Sequence, residues 1–154
     1  MTTTKCGFND GKDHKGCDLL VLMGPTLFVN IGFDKDYKPA PGVLPKPTVT
    51  GIQALVDTGA TESCIDAALA AQFALPVIDR RKVSGISGVR EVNMHLAQIH
   101  VVSLNFTIYG AFAGVDLTGG SGLPHRALIG RTFLRQFTMI YTGPTGDVEL
   151  RRTS

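Results

Sequence analysis

The sequence predicts an all-β domain, and three observations predict it. Glycine and proline are frequent, with Gly 18 and Pro 8 in 154 residues, so the chain is punctuated into short segments joined by turns. The apolar runs are mostly short and alternate with a period of two, the signature of strands with one buried face. Helical periodicity is confined to stretches long enough for one or two short helices. The length suits a single domain with a modest core.

Composition narrows the function classes. With 44% hydrophobic and 18% charged residues the chain is globular and too apolar for intrinsic disorder. A formal net charge of +2 gives no electrostatic case for nucleic acid or an anionic membrane as partner. No run approaches the ~20 apolar residues that cross a bilayer. The N-terminus lacks the apolar stretch of a signal peptide, which implies a cytoplasmic chain unless it is a fragment of a longer precursor. Cys6, Cys17 and Cys64 are an odd number, which argues against a disulfide framework. Cys6, His14 and Cys17 have a loose metal-like spacing with no obvious fourth ligand, and unliganded thiols are the favoured reading. No metal or cofactor is expected.

The elements follow in order. Residues 1–18 read as a polar, flexible extension, and 19–154 as the domain. Leu27, Val29 and Ile31 alternate with Phe28, Asn30 and Gly32, a strand after the Gly24-Pro25 break. Residues 35–48 carry prolines at 39, 41, 45 and 47, so this stretch is a loop or extended arm without ladder donors. Residues 49–56 form the next strand, ending in A-L-V-D-T-G-A. Asp66 then caps a short helix, A-A-L-A-A-Q-F-A, which Pro76 stops. A strand over 77–83, the S-G-I-S-G-V segment at 84–89 and an alternating run around Met94, Leu96, Ile99 and Val101 make a long hairpin. It spans 80–98 with glycines at its tip. A second glycine-rich loop leads into R-A-L-I-G-R-T-F-L. Two strands around Gly143-Pro144-Thr145-Gly146 close the chain.

An aspartate at the end of an apolar strand has a bland reading, a turn in which Asp57 accepts backbone hydrogen bonds. The A-L-I-G run at 127–130 and the glycine-tipped hairpin shift that balance. A carboxylate on a strand end, a glycine platform and a glycine-hinged lid are the parts of water-activating chemistry. Three separated motifs in the same order carry a resemblance. A-L-V-D-T-G-A, R-R-K-V-S-G-I-S-G-V-R-E-V followed by H-L-A-Q-I-H-V, and A-L-I-G-R-T-F-L make the chain similar to retropepsin-type aspartic proteases. That family includes retroviral proteases and the protease domain of DNA-damage-inducible ubiquitin-shuttle proteins. The similarity covers roughly residues 26–152.

The resemblance implies a closed acid-protease β-barrel and an aspartic endopeptidase acting on a peptide or protein substrate. Such chemistry needs two carboxylates that share one proton, one acting as base and the other as acid. Asp-Thr-Gly occurs once, so a second copy must bring the other carboxylate, and activity requires a homodimer. By resemblance, Asp57 is the catalytic carboxylate, Thr58 bonds across the two-fold axis, and Gly59 lets substrate backbone approach. Leu55 and Ala60 flank the cleft. Gly85, Ile86, Ser87 and Gly88 form the flap tip. Leu128 lines a specificity pocket, with Ile129 and Gly130 beneath the catalytic loop.

Two departures stand out. Viral relatives carry an aspartate after Asp-Thr-Gly-Ala that pairs with the arginine after Ile-Gly; here that position is Thr61, while Arg131 is kept. Its partner is then Glu62, Asp66 or a backbone carbonyl. His125 and Arg126 precede A-L-I-G and face either cleft or solvent. By resemblance, the terminal segment 146–152 is a candidate to interleave in a dimer sheet, although viral members use both ends and this N-terminus is polar. A catalytically silent dimerisation or peptide-binding module on the same fold is the alternative reading, and a third is a protease released from a precursor.

Overall fold

In the computed structural model of the chain, residues 2–85, 88–119 and 122–152 are described. Their elements are β1 (Thr2–Lys5), α1 (Gly16–Met23), β2 (Thr26–Gly32), β3 (Val49–Val56), β4 (Cys64–Asp66) and α2 (Ala67–Gln72). There follow β5 (Val77–Gly85), β6 (Gly88–Val101), a 3-10 turn (Val102–Leu104), β7 (Phe106–Val115), β8 (Ala127–Ile129), α3 (Arg131–Leu134), β9 (Thr138–Thr142) and β10 (Asp147–Arg152).

Six strands close on themselves in the order β2-β3-β8-β4-β7-β6, because β6 returns to pair with β2. Closure leaves these strands no open edge. The period-two pattern explains the inside of the barrel. Leu27, Val29 and Ile31 of β2 are buried while Phe28 between them is exposed. Ala54 and Val56 of β3, Ile65 of β4, Ala97, Ile99 and Val101 of β6, and Ala127 and Ile129 of β8 complete this core. An aromatic group of Phe106, Phe133 and Phe137 plugs one side, with Phe133 and Phe137 stacked at 4.7 Å.

Helix α2 forms where expected. Asp66 accepts the Leu69 amide at 3.2 Å as its N-cap, and the helix ends at Gln72, with Ala74 beyond it held at φ 51° before Pro76. Helix α1 crosses residues 18 and 19, and the polar segment before it contributes β1, so these residues join the fold through pairing with β10. Cys6 is buried in the core, apart from the exposed loop of His14. The loop after β2 is held by Asp34. Its carboxylate accepts the amides of Asp36 and Lys46, and its own amide donates to Gln98 Oε1 at 2.7 Å.

The terminal segment departs from expectation. β10 is the middle strand of a separate sheet, β1-β10-β9, with an antiparallel neighbour on either side. Its ladder groups are used on both sides within its own chain. The free edges of this sheet belong to β1 and β9.

Candidate active site

The site grows from one topological feature. Strand β8 lies between β3 and β4, parallel to β3 (Val56 opposite Ile129) and antiparallel to β4 (Cys64 opposite Leu128). The chain leaving β3 must therefore cross over the end of β8 before it enters β4. Residues 57–63 make that crossing and are pinned from below. The Asp57 amide donates to the Ile129 carbonyl at 2.9 Å, and the amides of Arg131 and Thr132 donate to the carbonyls of Ala60 and Thr61 at 2.9 and 3.0 Å. The Gly130 amide donates to Ser63 Oγ at 3.0 Å. Gly130 has no space for a side chain, since a Cβ would stand 2.6 Å from the carbonyl carbon and oxygen of Glu62. The Ile-Gly-Arg sequence thus serves as a backbone clamp on the aspartate loop.

Within the loop, Asp57 Oδ1 accepts the Gly59 amide at 2.8 Å, and its carbonyl accepts the Ala60 amide at 3.2 Å. One carboxylate oxygen is thereby oriented, and Oδ2 has no partner among the described residues. A Cβ on Gly59 would lie 3.0 Å from Asp57 Oδ1 and crowd it. Thr58 is exposed, and its hydroxyl makes no hydrogen bond among the described residues. Arg131 resolves the missing pair. Its Nη1 donates to the Thr58 carbonyl at 2.7 Å and its Nη2 to Thr61 Oγ1 at 3.0 Å. The backbone carbonyl is the partner, joined by the hydroxyl that replaces the viral aspartate.

Above the loop, β5 and β6 make the expected long hairpin, paired out to Gly85 opposite Gly88. The expected tip residues Ile86 and Ser87 lie outside the described residues. A cleft of about 570 Å³ opens between the hairpin and the aspartate loop, lined by Gly59, Ala60, Cys64, Val83, Met94 and Leu128 among others. A second hollow of about 560 Å³ shares Val83 and Val115 with it and reaches Gly85, Gly88, Arg90 and Asp116. Ala60 and Leu128 thus meet at one cleft, and Gly85 and Gly88 border its extension. Leu55 lines neither hollow; it is half-buried, opposite Thr26 and Leu128. Ile129 belongs to the core. Burial pushes the Cys64 thiol up to about 12, so it stays protonated and acts as an apolar wall.

Two residues beside the cleft have roles that no local pattern announces. Asp66 is fully buried, yet its carboxylate is saturated by the Leu69 amide, the Leu117 amide at 3.0 Å and Arg126 Nη1 at 3.0 Å. His125 is buried, with Nε2 2.8 Å from Thr26 Oγ1. Thr26 donates its hydroxyl to the Gly24 carbonyl, so the imidazole is the donor to Thr26. Its Nδ1 is left buried without a partner among the described residues. Burial lowers the His125 pKa. Among the described residues no group of three or more His, Cys, Asp or Glu is placed to hold a metal ion, and no helix is long and apolar enough to cross a membrane.

Comparison with known proteins adds a family. A family model described as "gag-polyprotein putative aspartyl protease" matches residues 49–136, which include the aspartate loop, the hairpin and the clamp. Among solved structures the chain is similar to the aspartic proteinase from Irpex lacteus, with 13% identity and a TM-score of 0.49. All of this chain is covered but only 48% of that proteinase, so the chain spans about half its length. No curated protein matches.

Proposed function

The chain belongs to the gag-polyprotein aspartyl protease family, and we propose from that premise that it is an aspartic endopeptidase working as a homodimer. The observation that carries this reading is the aspartate loop. Three backbone hydrogen bonds and one to Ser63 Oγ hold the loop that carries one carboxylate at a strand end, with one oxygen oriented and the other without a partner among the described residues. A turn that merely joined β3 to β4 needs no such support.

In the proposed mechanism Asp57 faces the partner subunit's Asp57. Like-charge repulsion leaves one proton on the pair, so one member is base and the other acid. The ionised member takes a proton from a water that attacks the scissile carbonyl. The protonated member donates its proton to the developing oxyanion, and the member that took the proton from water then gives it to the leaving nitrogen as the C–N bond breaks, while the first recovers a proton from the gem-diol as the new carboxyl group forms. Thr58, with its unengaged hydroxyl, meets its twin across the axis and ties the two loops together. Gly59 gives the substrate backbone room. The peptide lies extended between hairpin and floor as an added strand, and the tip at Gly85, Ile86, Ser87 and Gly88 closes over it to exclude water. Ala60 and Leu128, which line the cleft, are assigned to the substrate-facing walls. Peptide substrate, dimer and cleft account for the chain without nucleic acid or membrane as partners.

Replacing Asp57 by Asn tests the reading. Cleavage of a peptide library by the wild type should be abolished in Asp57→Asn with the fold intact by circular dichroism. Turnover that survives the substitution would exclude the mechanism. A wild type that dimerises and binds peptides without cutting them would favour the silent binding module.

A further inference from the structure

We infer that Arg126 makes this protein select an acidic side chain of its substrate at the subsite beside Leu128. The inference rests on the protease reading above and goes further by naming what the cleft recognises. Strand geometry places the group. Residues two apart in a strand share a face, so Arg126, just before β8, projects on the side of Leu128, which lines the cleft. On β4 the same holds for Asp66 and Cys64, and Cys64 also lines the cleft. The Arg126–Asp66 pair therefore sits next to the Leu128–Cys64 pair, one step further along the same wall.

The state of the pair makes Arg126 a recognition group. The Asp66 side chain is 1% exposed and receives two backbone amides besides the guanidinium, so much of its charge is met by the fold itself. Arg126 gives it a single nitrogen, Nη1, and its side chain remains 43% exposed. The other guanidinium donors stay in reach of solvent, fixed in direction by the anchored nitrogen. A planar fork held in this way matches a carboxylate with two parallel hydrogen bonds. The opposite wall has the same sign. Arg81 and Lys82 of β5 line the cleft, against Glu62 as the one acid lining it among the described residues. Arg81 shares its charge with Asp79 at 3.7 Å, and no ion pair is formed by Lys82 among the described residues. An acidic side chain bound along this wall would have Arg126 beside it and Arg81 and Lys82 among the groups that line the same cleft.

The test is a peptide library in which each position around the scissile bond carries Glu, Gln or Leu in turn, cleaved by the wild type, Arg126→Gln and Arg126→Lys. The readout is the ratio of kcat/KM for the Glu peptide to that for its Gln counterpart. This ratio does not depend on how much of a variant is folded. The wild type should prefer Glu by about tenfold at one position. Arg126→Gln should bring the ratio close to one, and Arg126→Lys should keep part of it. No preference for Glu at any position, or a preference that survives in Arg126→Gln, overturns the inference while leaving the protease reading in place. A wild type that cleaves no library member, like Asp57→Asn, overturns both.

Discussion

Arg131 donates Nη1 to the main-chain carbonyl of Thr58 at 2.7 Å, across 73 positions of sequence. The bond joins the first residue of α3 to the residue after Asp57, and a second, to Thr61 Oγ1, extends the grip. Arg131 is solvent-exposed, so its contribution to global stability is small, on the order of 1 kcal/mol. Its contribution to loop geometry is larger, because misplacing a reacting group by about 1 Å costs up to ~100-fold in rate. Arg131→Met should therefore lower kcat by roughly ten- to a hundredfold while KM and the melting temperature change little. Equal losses in stability and activity would show that Arg131 is an ordinary surface residue.

The same contact predicts a gain. Thr61→Asp would set a carboxylate against Arg131 Nη2 in place of a hydroxyl, as in the viral pattern. Exposed pairs of this kind contribute about 0.2–1 kcal/mol, so the melting temperature should rise slightly and the rise should fade in high salt. A drop in low salt would mean that Thr61 holds the loop in a way a carboxylate does not allow.

Two small-residue substitutions should act in opposite directions. Gly130→Ala forces a methyl group into the Glu62 carbonyl at 2.6 Å, and the neighbour is backbone that is itself clamped. The aspartate loop must lift, and a loss on the order of 1–3 kcal/mol is expected. Ala74, by contrast, sits at φ 51° just past α2, in the left-handed region that a Cβ disfavours. Ala74→Gly removes that strain and should be neutral or stabilising by up to about 1 kcal/mol, even though glycine loosens the unfolded chain. Thermal melts of the two variants decide both points.

How much of this was legible in the sequence depends on the range of each interaction. Strand β3, the capping role of Asp66, the long hairpin and the closing turn at 143–146 are local patterns, and they appear where alternation and turn residues place them. Helix α1 was hidden because its apolar run merges with that of β2. Strand β1 was hidden because a four-residue polar strand carries no alternation signal, and it exists only through its pairing with β10. That pairing also makes β10 an internal strand of its own chain's sheet. The partners of Arg126 and Arg131 lie 60 and 73 positions away, brought close by the insertion of β8 between β3 and β4. Nothing local encodes that insertion; the three motifs in family order do, through resemblance.

The buried imidazoles predict a pH response. Burial lowers the pKa of His100 and His125 from 6.5, so below that value the unfolded chain takes up protons that the folded chain resists. Stability therefore falls as pH drops from about 7 through 6.5 and levels off below the folded pKa values. For His125 the cause is specific: a proton on Nδ1 would be a buried donor with no acceptor. Asp34 and Glu149, held below the usual carboxylate range by hydrogen bonds, lose their contribution only under about pH 4.5. Melting temperature should decline between pH 7 and 5, and His125→Gln should flatten the decline. A curve unchanged by that substitution would assign the slope to other groups.

The number of carboxylates per chain gives the strongest test of assembly. If each site is built from two copies of Asp57, a chain carrying Asp57→Asn inactivates whatever partner it joins. Wild type unfolded and refolded with a ninefold excess of Asp57→Asn places about one tenth of chains in the active form. Random pairing then leaves only about one hundredth of dimers with both carboxylates. Activity should fall as the square of the wild-type fraction, and sedimentation at assay concentration should show dimers throughout. A monomeric catalyst would lose activity in simple proportion, to about one tenth. The exponent of this dilution curve thus reads the number of chains per site directly, whatever the substrate.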